Sequence, residues 1–131
     1  MAALACGARV TVTDYYTAAL DFARYNARVN LDLEPETRLL NWYAPDMEGL
    51  GTFDLVLAAD VLYEMRNVPA LSALIPTVLA SSGKVLLADP GRKGAPMLLE
   101  RMRERGFRVS TERYAVPSGE RRVAVLVHRL W

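Results

Sequence analysis

Strand-like and helix-like patterns of apolar residues alternate along this chain. The clearest is the apolar run 53–59, which ends abruptly at Asp60 and is typical of a strand buried on both faces of a parallel sheet. The remaining predicted strands are residues 9–13, 38–42, 84–88, 107–116 and 121–130, and the predicted helices are residues 18–29, 69–80 and 95–105, after a last helical turn at 2–6 closed by Gly7. This alternation predicts an α/β fold with a mainly parallel, Rossmann-like sheet. The last two strands, around a turn at 117–120, predict a C-terminal antiparallel hairpin.

In two of the predicted helices, residues three and four positions apart fall on one face of the helix. This spacing predicts which face packs into the core. Pro76 lies inside the second of them and is expected to kink it. The expected buried positions are Ala19, Phe22, Ala23 and Asn26 in the first helix, and Val68, Leu71, Ile75 and Val78 in the second.

Length and charge narrow the function classes. A chain of 131 residues with 52% hydrophobic content predicts one globular domain over residues 1–131. A net charge of +1, with arginines and glutamates interleaved near the C-terminus, argues against nucleic acid as a partner. The single Cys6, the single His128 and the lack of an apolar span predict no disulfide, no metal site, no membrane and a cytoplasmic location.

Two acids follow predicted strands and are candidates for a ligand site. Asp14 ends the strand at 9–13, and Asp60 ends the run at 53–59. Ligands of open α/β sheets bind beyond the carboxyl ends of the strands, so we expect both carboxylates to face one crevice. Either acid can instead serve only to form the turn that follows its strand.

The order of motifs resembles the class I S-adenosylmethionine-dependent methyltransferases. The closest similarity is to the branch that holds nicotinamide N-methyltransferase-like enzymes and protein-lysine methyltransferases. The matching segments are Val12-Thr13-Asp14-Tyr15, Asn41-Trp42, Asp60-Val61-Leu62-Tyr63 and Asp89-Pro90-Gly91-Arg92. The resemblance extends from about Ala2 to Trp131.

The resemblance implies roles for seven residues and S-adenosylmethionine as cofactor. It implies that Asp60 and Tyr63 serve catalysis, by holding or deprotonating an acceptor amine. The acceptor is then a protein lysine or a small molecule. The residues implied for cofactor binding are Asp14 on the ribose hydroxyls, with Tyr15, Asn41, Trp42 and Ala59 around it. Tyr15 and Trp42 can equally well be aromatic side chains that cover the sheet.

The chain departs from this family at its N-terminus. No strand followed by a glycine-rich loop precedes Gly7, and Gly49-Leu50-Gly51 comes before a strand rather than a helix, so we expect it to be an ordinary loop. We therefore expect an N-terminally incomplete domain, a fragment or a mis-started frame, that is inactive on its own. The family's first strand would lie between those ending at Asp14 and Asp60. These two edges should either pair with each other or cause self-association.

Two other functions fit the same residues. A nicotinamide-dinucleotide-binding domain also places a strand-end acid on a ribose. A truncated, non-catalytic relic would bind neither nucleotide.

Overall fold

Helices and strands alternate in the computed structural model, which describes residues 1–119 and 121–131. In chain order they are α1 (Ala2–Ala5), β1 (Thr11–Asp14), α2 (Thr17–Leu31), β2 (Glu36–Leu39), β3 (Phe53–Ala59), α3 (Asn67–Val78), β4 (Leu79–Asp89), α4 (Gly94–Glu104), β5 (Val109–Ser118) and β6 (Arg121–Leu130). The predicted α/β class and the C-terminal hairpin are confirmed. No helix in the described residues is long and apolar enough to cross a membrane.

The chain divides into two compact units, and the first is Met1–Leu50. Its α1 ends at Ala5, and Gly7, two residues later, has a φ of 80°, the left-handed conformation that the sequence predicts there. Strands β1 and β2 pair in parallel, from Thr11 opposite Glu36 to Asp14 opposite Leu39. The second predicted strand therefore begins and ends earlier than residues 38–42, because the chain already turns at Asn41.

Helix α2 packs on β1 and β2 through a different face from the one predicted. The buried residues are Leu20 and Ala27, while Phe22 is 66% exposed. The guanidinium of Arg24 lies on the buried side, where its Nη2 donates to Thr37 Oγ1 on β2. Leu20, Ala27 and this polar contact lie on the buried side, whereas Ala19 and Phe22 are exposed, so the predicted burial of these two residues is wrong.

The second unit, Gly51–Trp131, contains a four-stranded sheet in the order β3-β4-β6-β5. Strands β3 and β4 are parallel, and the other two ladders are antiparallel. The hairpin pairs from Val109 opposite Leu130 to Ser118 opposite Arg121, and Glu120 of the predicted turn lies outside the described residues. Strand β4 is longer than the predicted 84–88, since it begins directly after α3.

The core of this unit lies on one face of β4. Val85, Leu87 and Asp89 alternate along that strand and are almost fully buried. All four predicted core residues of α3, from Val68 to Val78, are buried as the sequence predicts. Helix α4 packs against α3 and buries Leu98 and Met102. The core therefore ends, at the carboxyl edge of β4, in a buried acid.

Strand β3 differs from its prediction in burial although its bounds are as predicted. Leu55 is 45% exposed and Leu57 is 53% exposed, so the expectation of burial on both faces is wrong. The cause is its place in the sheet: among the described residues, β3 is an outer strand that pairs with β4 alone.

Within residues 1–119 and 121–131, six strands form a two-stranded and a four-stranded sheet. Strand β1 pairs with β2, and β3 pairs with β4. In the part of the chain that the structure describes, no ladder joins β1 to β3, so direct pairing of these edges is wrong. Self-association through them, and a single domain over residues 1–131, stay predictions.

Candidate functional site

Asp60 is the first residue after β3 and adopts a left-handed backbone. Its φ is 52°, a conformation that Asp tolerates better than most residues, and its amide donates to the Ala88 carbonyl at 2.8 Å. This bond ties the turn to β4, the neighbouring strand. The side chain of Asp60 is therefore fixed at its base while remaining half exposed.

A two-pronged ion pair joins Asp60 to Arg92. Arg92 Nε donates to Asp60 Oδ1 at 2.7 Å, and Nη2 donates to Oδ2 at 2.8 Å. These hydrogen bonds and the positive charge lower the pKa of Asp60, although partial burial opposes them, and they raise the pKa of Arg92. The lowered pKa keeps Asp60 an ionised carboxylate near neutral pH.

Asp89 fixes the backbone of the loop that carries Arg92. It ends β4 and is 1% exposed. Its Oδ2 accepts from the Gly91 amide at 2.8 Å and from the Arg92 amide at 3.0 Å, while Oδ1 lies 3.2 Å from the same Arg92 amide. Gly91, with φ of 99°, supplies the reversal that this turn requires. The loop 89–92 is therefore anchored in the core.

The segment from Asp60 to Tyr63 is anchored by its neighbours. Leu62 is buried, and the buried Asn67 donates from Nδ2 to the Val61 carbonyl at 2.8 Å. Tyr63 is 60% exposed at the surface of this loop, and Ala59 is exposed at the end of β3. The loop thus presents an accessible phenol three residues after an ionised carboxylate.

In the first unit, Asp14 lies at the carboxyl end of β1 as predicted. Its Oδ1 accepts from the Tyr16 amide at 2.9 Å, which is the turn-forming role of an Asp between strand and helix. Among the described residues, Oδ2 has no hydrogen-bond partner, and the residue is half-buried. One carboxylate oxygen therefore forms the turn and the other is available to a ligand.

The other predicted cofactor residues of this unit lie in two turns. Tyr15 is exposed, with its ring 5.0 Å from that of Tyr16 in an edge-on arrangement. Asn41 follows β2 and accepts at Oδ1 from the Tyr43 amide at 3.0 Å, and Trp42 is half-buried beside it. Asn41 therefore uses its side-chain oxygen to form a turn.

The structure brings Asp60 together with Arg92 and Asp89 in one network, and it places Tyr63 on the adjoining loop. That Asp14 and Asp60 face one crevice stays a prediction. Sequence reasoning assigned no role to Arg92, Asp89 or Asn67. The Asp-Pro-Gly order at 89–91 signals a turn, but no local pattern could reveal an ion pair between residues 32 positions apart.

Comparison with known proteins identifies the family. A sequence model described as lysine methyltransferase matches residues 1–104. The chain belongs to the lysine methyltransferase family. It is also 31% identical over 87 residues to protein N-lysine methyltransferase METTL21A of Xenopus tropicalis. The predicted membership of the class I S-adenosylmethionine-dependent methyltransferases, in the branch that holds nicotinamide N-methyltransferase-like enzymes and protein-lysine methyltransferases, is confirmed.

Solved methyltransferase structures share the fold. One from Pyrococcus furiosus superposes with a TM-score of 0.69 at 22% identity, covering 93% of this chain and 61% of that one. Magnesium protoporphyrin IX methyltransferase of Synechocystis PCC 6803, solved with bound S-adenosylmethionine, gives 0.70 at 15% identity, covering 97% and 62%. The METTL21A alignment covers 63% of this chain and 40% of the relative. The chain thus spans less than two thirds of the length of each of these proteins.

Proposed function

We propose that this chain carries the acceptor side and the ribose side of an S-adenosylmethionine-dependent methyltransferase that acts on an amine. The observation that supports it best is the ionised Asp60 beside the accessible Tyr63, after the outer strand β3, in a chain of the lysine methyltransferase family. The acceptor is a protein lysine or a small molecule that carries an amine.

The chemistry explains why a carboxylate and a phenol suit this site. Bound S-adenosylmethionine supplies an electrophilic methyl group on a sulfonium. The acceptor nitrogen must present a lone pair in line with that methyl carbon, so its ammonium form first loses a proton to solvent. Asp60 accepts a hydrogen bond from the acceptor N–H and orients its lone pair. Tyr63 adds a hydrogen bond or a π face to the amine. With the cofactor bound, the acceptor would leave as a methylammonium ion, and the electron pair of the broken C–S bond would remain on sulfur as a neutral thioether.

Asp14 fits the ribose end of the cofactor. A ribose diol donates hydrogen bonds to a carboxylate, and the Asp14 Oδ2 is the oxygen that the turn to Tyr16 leaves available. Tyr15, Asn41, Trp42 and Ala59 are proposed around the ribose and adenine. All four have uncharged side chains, which suits an uncharged nucleoside.

Calorimetric titration with two nucleotides tests this function. We expect the chain to bind S-adenosylhomocysteine and not NAD, since the family match favours the first. Binding of NAD with no binding of S-adenosylhomocysteine would support a dinucleotide-binding domain instead. Binding of neither would support a non-catalytic relic.

A further inference from the structure

We propose that Arg92 is a positioning residue of the acceptor site, which orients Asp60, and that the buried Asp89 sets Arg92 in place. The assignment of Asp60 to an acceptor site rests on the proposed function. Its evidence is separate: a continuous series of hydrogen bonds from the core to the half-exposed Asp60.

The first step is the geometry of the bidentate ion pair between Arg92 and Asp60, which we call the fork. Two parallel N–H···O bonds at 2.7 and 2.8 Å fix the plane of the carboxylate as well as its position, which a single contact would not do. A carboxylate offers about four lone-pair sites. The fork uses one on each oxygen, and the others stay available to an acceptor N–H. Arg92 can therefore hold the Asp60 carboxylate in place while Asp60 still accepts a hydrogen bond from the acceptor amine.

The second step is what holds Arg92. Arginine side chains at a surface ordinarily lose much rotamer freedom to make an ion pair, so surface pairs contribute little. Here Asp89 fixes the backbone of Arg92. Asp89 is 1% exposed, and it accepts hydrogen bonds from the Gly91 and Arg92 amides. The base of the side chain is thereby fixed in advance, which reduces the cost of forming the fork.

The third step is that both ends of the fork are tied to one strand. Asp60 donates its amide to Ala88 of β4, and Arg92 follows Asp89 of the same strand. The distance between Asp60 and Arg92 is therefore set by adjacent residues of β4. The arrangement suits a site that must place a carboxylate to within a fraction of an ångström.

The test measures the pKa of the Asp60 carboxyl group in the 131-residue chain. The chemical shift of its carboxyl carbon is followed by NMR as the pH is changed. Arg92→Gln should raise that pKa toward its ordinary value, and Arg92→Lys, which keeps the charge without the fork, should raise it by less. Asp89→Asn should also raise it although Arg92 is still present. Arg101→Gln, on the exposed side of α4, is the control and should leave it unchanged.

Two outcomes would overturn the inference. One is an Asp60 pKa that Arg92→Gln does not change. The other is an unchanged pKa in Asp89→Asn with a native amide spectrum; if that variant does not fold, the two Arg92 variants decide. In parallel, Arg92→Gln should leave S-adenosylhomocysteine affinity within about twofold. Since the titration needs no catalysis, failure to bind that ligand would refute the proposed function and not the positioning of Asp60.

Discussion

Asp14 and Asp60, the two acids at strand ends, each take part in the structure and can each still bind a ligand. Asp14 uses one oxygen for the turn before α2 and keeps the other available. Asp60 engages both oxygens with a cation and keeps its remaining lone pairs. A turn-forming acid and a functional acid are therefore compatible at both positions.

Removing the charge of Asp14 tests its share in nucleotide binding. Asp14→Asn keeps the oxygen that accepts from Tyr16 and removes the negative charge. Charged hydrogen bonds contribute about 1.5–3 kcal/mol, so S-adenosylhomocysteine affinity should fall roughly 10-fold to 100-fold by calorimetry. Asp32→Asn is the matched control, since Asp32 is exposed and its left-handed φ of 55° suits Asn as well. Equal affinities for both variants would contradict the assignment.

We expect His128 to make the stability of the second unit depend on pH. It is 3% exposed, its Nδ1 lies 2.8 Å from Thr111 Oγ1 of β5, and its Nε2 is buried with no partner among the described residues. Burial lowers its pKa; Asp89 of β4 opposes this, and Arg103 of α4 adds to it. The unfolded chain then binds more protons than the folded one near pH 6.5.

The contribution of the neutral His128 to the free energy of unfolding should therefore be fully present above pH 6.5. It should be lost as the pH falls from there through the lower pKa of the folded state. Urea unfolding of the wild type and of His128→Gln at about pH 8 and about pH 5 measures this. The wild type should lose more free energy of unfolding between these conditions than the variant. Identical losses would show that His128 does not titrate in this range.

The sequence identifies the residues at strand ends because strand, turn and helix signals are local. It identifies Asp14, Asp60 and Tyr63 as candidates in this way. Arg92 is different: its partner lies 32 positions earlier, and their meeting depends on β3 pairing with β4. Exposure of Tyr63 likewise depends on how the whole loop packs, since the adjacent Leu62 is buried while Tyr63 is not.

At the scale of elements, β3 and β4 pair side by side but differ in burial. Leu87 of β4 is 1% exposed, and Leu57 of β3 is 53% exposed. Leu87→Ala should lower the free energy of unfolding by about 2–5 kcal/mol, because it leaves a cavity in a packed core. Leu57→Ala should lower it by less than about 1 kcal/mol. Similar costs in urea unfolding would mean that Leu57 is covered in solution.

The faces of these elements show where hydrophobic pattern is insufficient. Pattern predicts the buried face of α3, where apolar residues occupy one side of the helix. It fails for α2, since Arg24 takes an inward position and Phe22 an outward one. It also fails for β3, because an apolar run does not reveal that a strand has a neighbour on one side only.

At the scale of the whole molecule, the unpaired sides of β1 and β3 predict self-association. Neither strand pairs with the other in the described residues, and an open strand edge pairs readily with another chain. Light scattering of the purified 131-residue chain should give more than the mass of one chain, increasing with concentration. A concentration-independent mass of one chain would contradict this. Inactivity of the chain on its own and its cytoplasmic location also stay predictions.

The most direct measurement is an amide NMR titration of the isotope-labelled chain with S-adenosylhomocysteine. The central claim is that the strand ends at Asp14 and Asp60 serve one nucleotide and its acceptor. Amide signals of residues 14–17 and 59–63 should shift together, with a single dissociation constant. Shifts at one strand end alone, or two different constants, would contradict a shared site.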